Sequence, residues 1–442
     1  MKLIAWLKPG MKLKRWLATG LLGILFVCLG LALLAGIFFP RPVEAIWAAA
    51  LFPLGLILIF LAIRKMAGNI HKAVLRGGFE ASQDAGGRSS MLYDKRILIK
   101  GPKIVTIGGG TGLSAMLRGL KTYSSNLTAI VTVADDGGGS GVLRQDLGML
   151  PPGDIRNCIM ALANTEPIME SLLQYRFKEG MLKGQSFGNL FLAAMDGISS
   201  NFEEAVRRMS DVLAVTGRVL PVTLEDARLF AELDDGYLVS GESNIGKHYG
   251  FHPGRIQRVY MEPANAKPLQ DVLDAIAEAD IIVLGPGSLY TSIIPNLLVD
   301  GVCEALRASS APKIYVCNIM TQPGETEGYS LYDHLKAIEG HSCKGIIDYC
   351  LVNTAAIPPA IAQKYRDDGA QAVVLDIDRT VKSGIKVIGA DFVGIKNNYV
   401  RHDPTKLAEA VMGVATERAL PGEKKRLLEF YYGKEGNTTV KS

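Results

Sequence analysis

Lys103-Ile104-Val105-Thr106-Ile107-Gly108-Gly109-Gly110-Thr111-Gly112 carries a β-branched apolar run straight into a glycine loop. A helical pattern, Leu113 to Leu120, follows at once. The same theme recurs along the chain. Leu127–Val133 is a second apolar run, ending at Asp135-Asp136, and Ile281–Leu284, Lys313–Cys317, Ile346–Val352 and Ala372–Leu375 are four more. Short runs apolar on both faces, with helical patterns between them, predict an α/β fold with a parallel sheet covered on both sides. Residues 154–215 read as an almost wholly helical insertion near the sheet's edge. Residues 218–261 alternate strand-like segments around Asp234-Asp235-Gly236, a hairpin signal.

The length of 442 residues predicts two to three domains at about 150 residues each. Hydrophobic content of 48% and charged content of 21% exclude a disordered or collagen-like chain. Six cysteines without a CxxC pair exclude a disulfide scaffold and a zinc knuckle. The net charge of +4 averages two unlike pieces. Residues 1–76 hold ten Lys/Arg against one acid, Glu44, and stand at +9, which leaves −5 for the rest. Bulk charge therefore argues against a nucleic-acid partner.

Trp16 to Phe39 holds no charged residue in 24 positions, and Ala45 to Ile63 none in 19. Each run approaches the roughly 20 apolar residues that cross a bilayer's hydrocarbon core. Pro40-Arg41-Pro42-Val43-Glu44 between them has room only for a turn. The expectation is a transmembrane hairpin over 1–66, with spans of about 16–39 and 45–63 in the plasma (inner) membrane. Five positive residues precede the first span and four follow the second within thirteen positions, so both termini and the body are expected in the cytoplasm. A linker over 67–102 would lead to an α/β domain over 103–415, followed by a tail over 416–442. The spans lack a GxxxG face, which leaves homo-oligomerisation through the anchors open.

The first strand–loop–helix unit is where chemistry is expected. Backbone N–H groups at a helix N-terminus, freed of Cβ bulk by glycine, cradle phosphate. Gly108, Gly109, Gly110, Thr111 and Gly112 have that character, yet they form neither GxGxxG nor a Walker A loop. Asp135, Asp136 and Gly137 close the second run, and Pro151-Pro152-Gly153-Asp154-Ile155-Arg156-Asn157 follows, with Asp154 at an N-cap position. The two adjacent carboxylates are candidates to hold a ribose, a Mg²⁺ ion or a substrate hydroxyl. Gly285, Gly287 and Ser288 repeat the glycine-loop device after the run at 281–284. Two such loops at the carboxyl ends of parallel strands point to one crevice and to a diphosphate ligand, a nucleotide or nucleotide-sugar. NAD is a third reading, because Asp135 lies 25 residues after Gly110. His248 and His252 sit in a loop without a carboxylate pair and make a poor zinc site; the trio Arg401-His402-Asp403 reads as an exposed loop, either one that clamps a ligand or plain solvated surface.

The runs GGGTGLSAMLRGLK (108–121), AIVTVADDGG (129–138) and PPGDIRNCIMALAN (151–164) resemble the bacterial gluconeogenesis factor family, of the 2-phospho-L-lactate transferase superfamily. So do Gly188-Asn189-Leu190, Gly241-Glu242-Ser243, LGPGSLYTSIIPNLL (284–298) and the stretch Asn318 to Thr326. The resemblance implies a Rossmann-like three-layer α/β/α core with a helical subdomain. It also implies binding of UDP-sugars, notably UDP-N-acetylglucosamine, in support of cell shape and wall precursor metabolism during gluconeogenic growth. Asn157, Asn189 and Asn318 join the candidate ligand-binding residues, and Tyr365 and Arg401 match positions implicated in nucleotide-sugar binding. In the transferase branch, which uses Mg²⁺, the residue matching Asp154 faces the acceptor; here Asp154 is the catalytic candidate, with Asp135 and Asp136 as metal candidates.

Two departures stand out. Gly139 replaces a serine of the usual Asp-Asp-Gly-Gly-Ser-Ser-Gly, and Gln185 replaces the histidine of the usual Gly-His-Ser-Leu. Loss of that histidine removes a general acid/base candidate and favours a regulatory, ligand-binding role with an unknown protein partner in envelope metabolism. The competing expectation is a Mg²⁺-dependent phospholactyl-type transferase acting on a nucleotide-activated donor.

Overall fold

A computed structural model describes residues 13–34, 50–65 and 101–419. The chain divides into two compact units, residues 1–100 with 429–442, and residues 101–428. The linker and tail expectations fall largely outside the described residues.

In the first unit, helix α1 spans Leu13–Leu34 and helix α2 spans 50–65. The two touch backbone to backbone: a Cβ on Gly23 would lie 2.8 Å from the carbonyl oxygen of Gly55. Small residues permit such an approach. Among the described residues no single helix is long and apolar enough to cross a membrane, and the apolar core of α1 is limited to Ala18–Ala32.

The second unit is built on a seven-stranded sheet, all of whose pairings are parallel. Its strands are β1 (Ile104–Gly108), β2 (Leu127–Val131), β3 (Arg218–Pro221), β7 (Ile281–Leu284), β8 (Lys313–Val316), β9 (Tyr349–Asn353) and β10 (Lys386–Ala390). The spatial order is β10-β9-β8-β7-β1-β2-β3. Strands β1, β2, β7 and β8 are buried along their whole length, which is why they read as unbroken apolar runs rather than alternating ones. The antiparallel strands β4 (Arg228–Leu233), β5 (Leu238–Ser240) and β6 (Ile256–Glu262) form a separate small sheet. Its β4–β5 turn passes through Asp234-Asp235-Gly236, the hairpin signal.

Helices follow the sheet's strands. Helix α3 (Gly110–Leu120) buries Leu113, Met116, Leu117 and Leu120, spacing that places all four on one face. Helix α4 (Gly138–Leu147) follows β2, and α5 (Gly153–Leu162), α6 (Pro167–Gln174), α7 (Phe187–Gly197) and α8 (Phe202–Val212) intervene before β3.

Two expectations are corrected. The run Ala372–Leu375 is not a sheet strand: it makes only isolated bridges to Met320 and Ser330, and Val374 is 56% exposed. The edge strand is β10 instead, which has one neighbour and is only partly buried, so its sequence lacks the apolar signature. Strand β3 belongs to the parallel sheet, although its short Arg218–Pro221 run reads as part of the hairpin region.

Candidate functional site

Strand order reverses its direction of growth between β1 and β7: β2 and β3 lie on one side, β8 to β10 on the other. In open α/β sheets the ligand crevice forms at such a switch point, beyond the carboxyl ends of the strands. Both glycine loops are there. A Cβ on Gly108 would lie 3.8 Å from Gly285, and one on Gly112 would lie 2.6 Å from the Pro286 carbonyl oxygen. The loops thus pack backbone against backbone, which side chains would prevent.

A cavity of about 1190 Å³ opens over them. It exceeds the usual range of ligand pockets, roughly 300–1,000 Å³, and is ample for a nucleotide-sugar. Of the candidate residues, Gly109, Gly110, Thr111, Gly112, Asp135, Asp154, Asn157, Gly287, Ser288, Asn318, Tyr365 and Arg401 line it. Gly108 and Gly285 lie beneath the floor as ends of the loops. Asp136, Gly137 and Asn189 do not line it.

The carboxylates are arranged differently from the sequence reading. Asp154 lies in the first turn of α5, whose N-cap is Pro152, and caps nothing there. Its carboxylate crosses to α3 and accepts the Gly110 N–H. A Cβ on Gly109 would stand 2.5 Å from Asp154 Oδ2, and one on Gly153 would stand 2.8 Å from Asp135 Oδ2. Each glycine therefore gives its side-chain space to an acid. Burial, reinforced by the charge of Asp135, raises the Asp154 carboxyl to about 7. Burial raises Asp135 as well, against the Gly137 N–H that its Oδ1 accepts at 2.9 Å.

Asp136 turns away from its neighbour. Its Oδ1 accepts the Ser243 N–H at 2.8 Å, and its Oδ2 fills the space beside Gly241. The pair Asp135/Asp136 is thus not disposed to share one Mg²⁺ ion, and among the described residues no group of three or more His, Cys, Asp or Glu has metal-holding geometry. The loop that Asp136 ties down presents Glu242 to the cavity, where burial and then the Asp135 charge raise it to about 8. Glu242 belongs to a motif legible in the sequence, but nothing local marked its side chain as cavity-facing.

The second glycine loop is held from the stretch 318–326. Asn318 Nδ2 donates to the Gly287 carbonyl at 3.0 Å, and Gln322 Nε2 donates to Ser288 Oγ at 2.7 Å. Glu325, buried beneath, accepts the Tyr290 N–H and the Thr291 hydroxyl, and burial raises it to about 7.

The far wall is a hairpin, β11 (Val393–Lys396) and β12 (Tyr399–His402). Its two-residue turn, Asn397-Asn398, has φ of 52° and 59°, the left-handed geometry that suits asparagine. An Asn-Asn pair between two short runs is the local sequence signal for such a turn. Tyr365 anchors the hairpin, its hydroxyl accepting the Val400 N–H at 3.0 Å, while Arg401 stands exposed at the rim. His402 is not on an exposed loop: it lines the cavity near the Cys317 carbonyl, and burial lowers it to about 4. Asp403 caps the helix Pro404–Val414. His248 bonds the Ile245 and Gly254 carbonyls, a structural role rather than a zinc ligand's.

Asn189 and Gln185 belong to the support of the site. Asn189 is buried in the first turn of α7, its N–H donating to Ser186 Oγ at 3.2 Å. Gln185 is buried and does not line the cavity. Arg118, Arg156 and Arg176 do line it, on the wall formed with the helical segment, and local sequence gave them no prominence.

This fold and crevice define a class. Residues 104–393 match the family described as 2-phospho-L-lactate transferase CofD, and the chain belongs to that family. Within it, the chain is a member of the gluconeogenesis factor family. The gluconeogenesis factor of Bacillus subtilis is 50% identical over 317 residues, 72% of this chain and 99% of its own length. A relative from Clostridium acetobutylicum is 49% identical over 434 residues, 98% of this chain and 96% of its own. A crystal structure of a Bacillus halodurans protein, 47% identical, superposes with a TM-score of 0.68 over 71% of this chain and 99% of that one.

Proposed function

We propose that this protein binds a nucleotide-sugar of the UDP-N-acetylglucosamine kind and acts as a regulator of cell shape and cell-wall precursor metabolism during gluconeogenic growth. The observation that carries this reading is the convergence of two glycine loops at the β1/β7 switch point, under a cavity of about 1190 Å³. The loops at Gly109–Gly112 and Gly287–Ser288 meet the diphosphate, and the hairpin wall with Tyr365 and Arg401 meets the nucleoside. Asp135, Asn157 and Glu242 face the sugar. Calorimetric titration of the folded protein with UDP-N-acetylglucosamine tests it: saturable binding is expected, and no heat at millimolar ligand would refute it.

The second part of the reading is a membrane anchor over the N-terminal unit, with the α/β domain cytoplasmic. The 24- and 19-residue uncharged runs and their flanking positive charges support it. So do the outward apolar side chains of the two helices, among them Leu21, Leu25, Ile57, Phe60 and Ile63. Fractionation in which the chain resists carbonate extraction is expected; release into the soluble fraction would overturn the anchor alone.

A transferase reading is favoured by one observation, the Asp154 carboxyl raised to about 7 beside the loop that would hold a phosphoryl donor. A carboxyl in that range accepts a proton from an acceptor hydroxyl near neutrality. Turnover of a nucleotide donor, abolished in Asp154→Asn, would establish it.

A further inference from the structure

Two arginines on the helical wall of the cavity have no role in the reading above. Arg156 projects from α5, and Arg176 stands on a narrow turn-back between α6 and α7, where it bridges Ser186. Both line the cavity. Among the described residues neither forms a salt bridge, whereas nearby Arg118 approaches Glu170 at 3.9 Å.

Arg156 is held in place. Its Nη2 donates to Asn157 Oδ1 at 2.8 Å and its Nη1 to Ser186 Oγ at 3.4 Å, both neutral acceptors. Its stem runs along Gly188: a Cβ there would lie 2.6 Å from Arg156 Cδ and 2.7 Å from the Leu173 carbonyl oxygen. Gly188 thus packs the guanidinium at a set position. The buried Nε has no partner at all. That orphaned donor is sealed from the cavity; the Nη groups, each with one N–H engaged by a neutral acceptor, keep a second N–H for a ligand. Burial and the charge of Arg176 both weigh against Arg156, while Asp154 and Asp135 compensate from a distance. Arg176 spends one donor on the Gly184 carbonyl, which leaves the rest of its fork for a ligand.

We propose that Arg156 and Arg176 form an oxyanion subsite, distinct from the glycine loops, for a carboxylate or phosphate at the far end of the bound ligand or on a second small molecule beside it. The inference rests on the nucleotide-sugar reading and refines it. The glycine loops are occupied by the diphosphate in that reading, so a further oxyanion is met at the helical wall of the same cavity, where the arginines lie. Guanidinium forks recognise planar oxyanions through paired N–H donors, which gives both orientation and discrimination.

The test compares UDP-glucuronate with UDP-glucose on the full-length chain by calorimetry at low salt. If the oxyanion is the sugar's own, UDP-glucuronate binds about tenfold tighter. Arg176→Gln, at the exposed rim, then abolishes that preference and leaves UDP-glucose affinity unchanged. If the oxyanion is a separate molecule, the two sugars bind alike, but inorganic phosphate titrates the UDP-glucose complex and Arg176→Gln removes that second binding. Arg156→Gln, checked for fold by circular dichroism, repeats whichever effect is seen. Equal sugar affinities together with no phosphate binding would overturn the subsite while leaving the nucleotide-sugar reading intact. So would a preference or phosphate binding that survives both substitutions. Failure of both sugar nucleotides to bind a folded protein that does bind UDP-N-acetylglucosamine would overturn the subsite alone, and failure of all three would remove the nucleotide-sugar reading with it.

Discussion

A Cβ on Gly109 would stand 2.5 Å from Oδ2 of Asp154 and 2.8 Å from the Thr132 methyl, so the carboxylate lies in the space the glycine leaves open. Gly109→Ala is expected to displace the Asp154 carboxylate from the Gly110 N–H. Overpacking of this kind costs about 1–3 kcal/mol in stability. Nucleotide-sugar affinity is expected to fall by about tenfold or more, as the loop backbone must shift. Asp154→Ala in the same chain restores only part of the stability, because the Thr132 clash remains. Chemical denaturation and calorimetry of the two variants check this; a fully stable, fully binding Gly109→Ala would contradict it.

Protonation gives a second expectation. Asp154 is raised to about 7 and Glu242 to about 8, each mainly by burial. Between the ordinary carboxylate range near 4 and those values, the folded protein holds protons that the unfolded chain has released. Stability is therefore highest at the acidic end of that window and falls as pH rises through about 7 to 8, then levels off. The melting temperature should decline from pH 5 to pH 8.5, and less steeply in Asp154→Asn. Affinity for a diphosphate ligand should fall over the same upper range, because ionising Asp154 puts negative charge beside the loop. Calorimetry at pH 6 and pH 9 reads this directly.

The Tyr365 hydroxyl accepts the Val400 N–H at 3.0 Å and so ties the rim hairpin to the helix Pro359–Asp367. Tyr365→Phe removes this bond and the one the hydroxyl donates to the Val400 carbonyl at 3.3 Å, together worth about 1–3 kcal/mol, yet is expected to weaken nucleotide-sugar binding more than stability. Exposed Arg401 is expected to be the cleaner probe: Arg401→Ala should change stability by no more than about 0.5 kcal/mol while lowering affinity. Equal affinity in both variants would remove the hairpin from the site.

The two departures from the family pattern face each other. A Cβ on Gly139 would lie 2.7 Å from Gln185 Oε1, a buried oxygen without a hydrogen-bond partner. Gly139→Ser and Gln185→His are therefore expected to be non-additive, with a coupling of about 0.5–3 kcal/mol in a double-mutant cycle. Additive effects would separate them. The contact also revises the meaning of the missing histidine: position 185 packs behind the site and does not line the cavity, so its loss says little about acid/base chemistry.

The parallel sheet was legible because β1, β2, β7 and β8 are buried on both faces, and full burial writes itself into sequence as an apolar run. Edge strand β10 was not, because one side lacks a neighbour and its residues stay mixed. The glycine loops were legible for a similar local reason, since a loop that others must touch excludes Cβ atoms. The carboxylates were legible as residues but not as a geometry.

By itself the sequence determined the strand–glycine-loop–helix units, the basic and uncharged N-terminal segment, and family membership, all properties carried by neighbouring residues. Only the tertiary structure decided that Asp135 and Asp154, 19 positions apart, share a floor with Glu242 while adjacent Asp136 leaves it. It likewise decided that Arg156 and Arg176 form one wall. Side-chain direction and charge environment depend on which segments meet across the sheet, and long-range packing sets that meeting where local propensity carries no record of it.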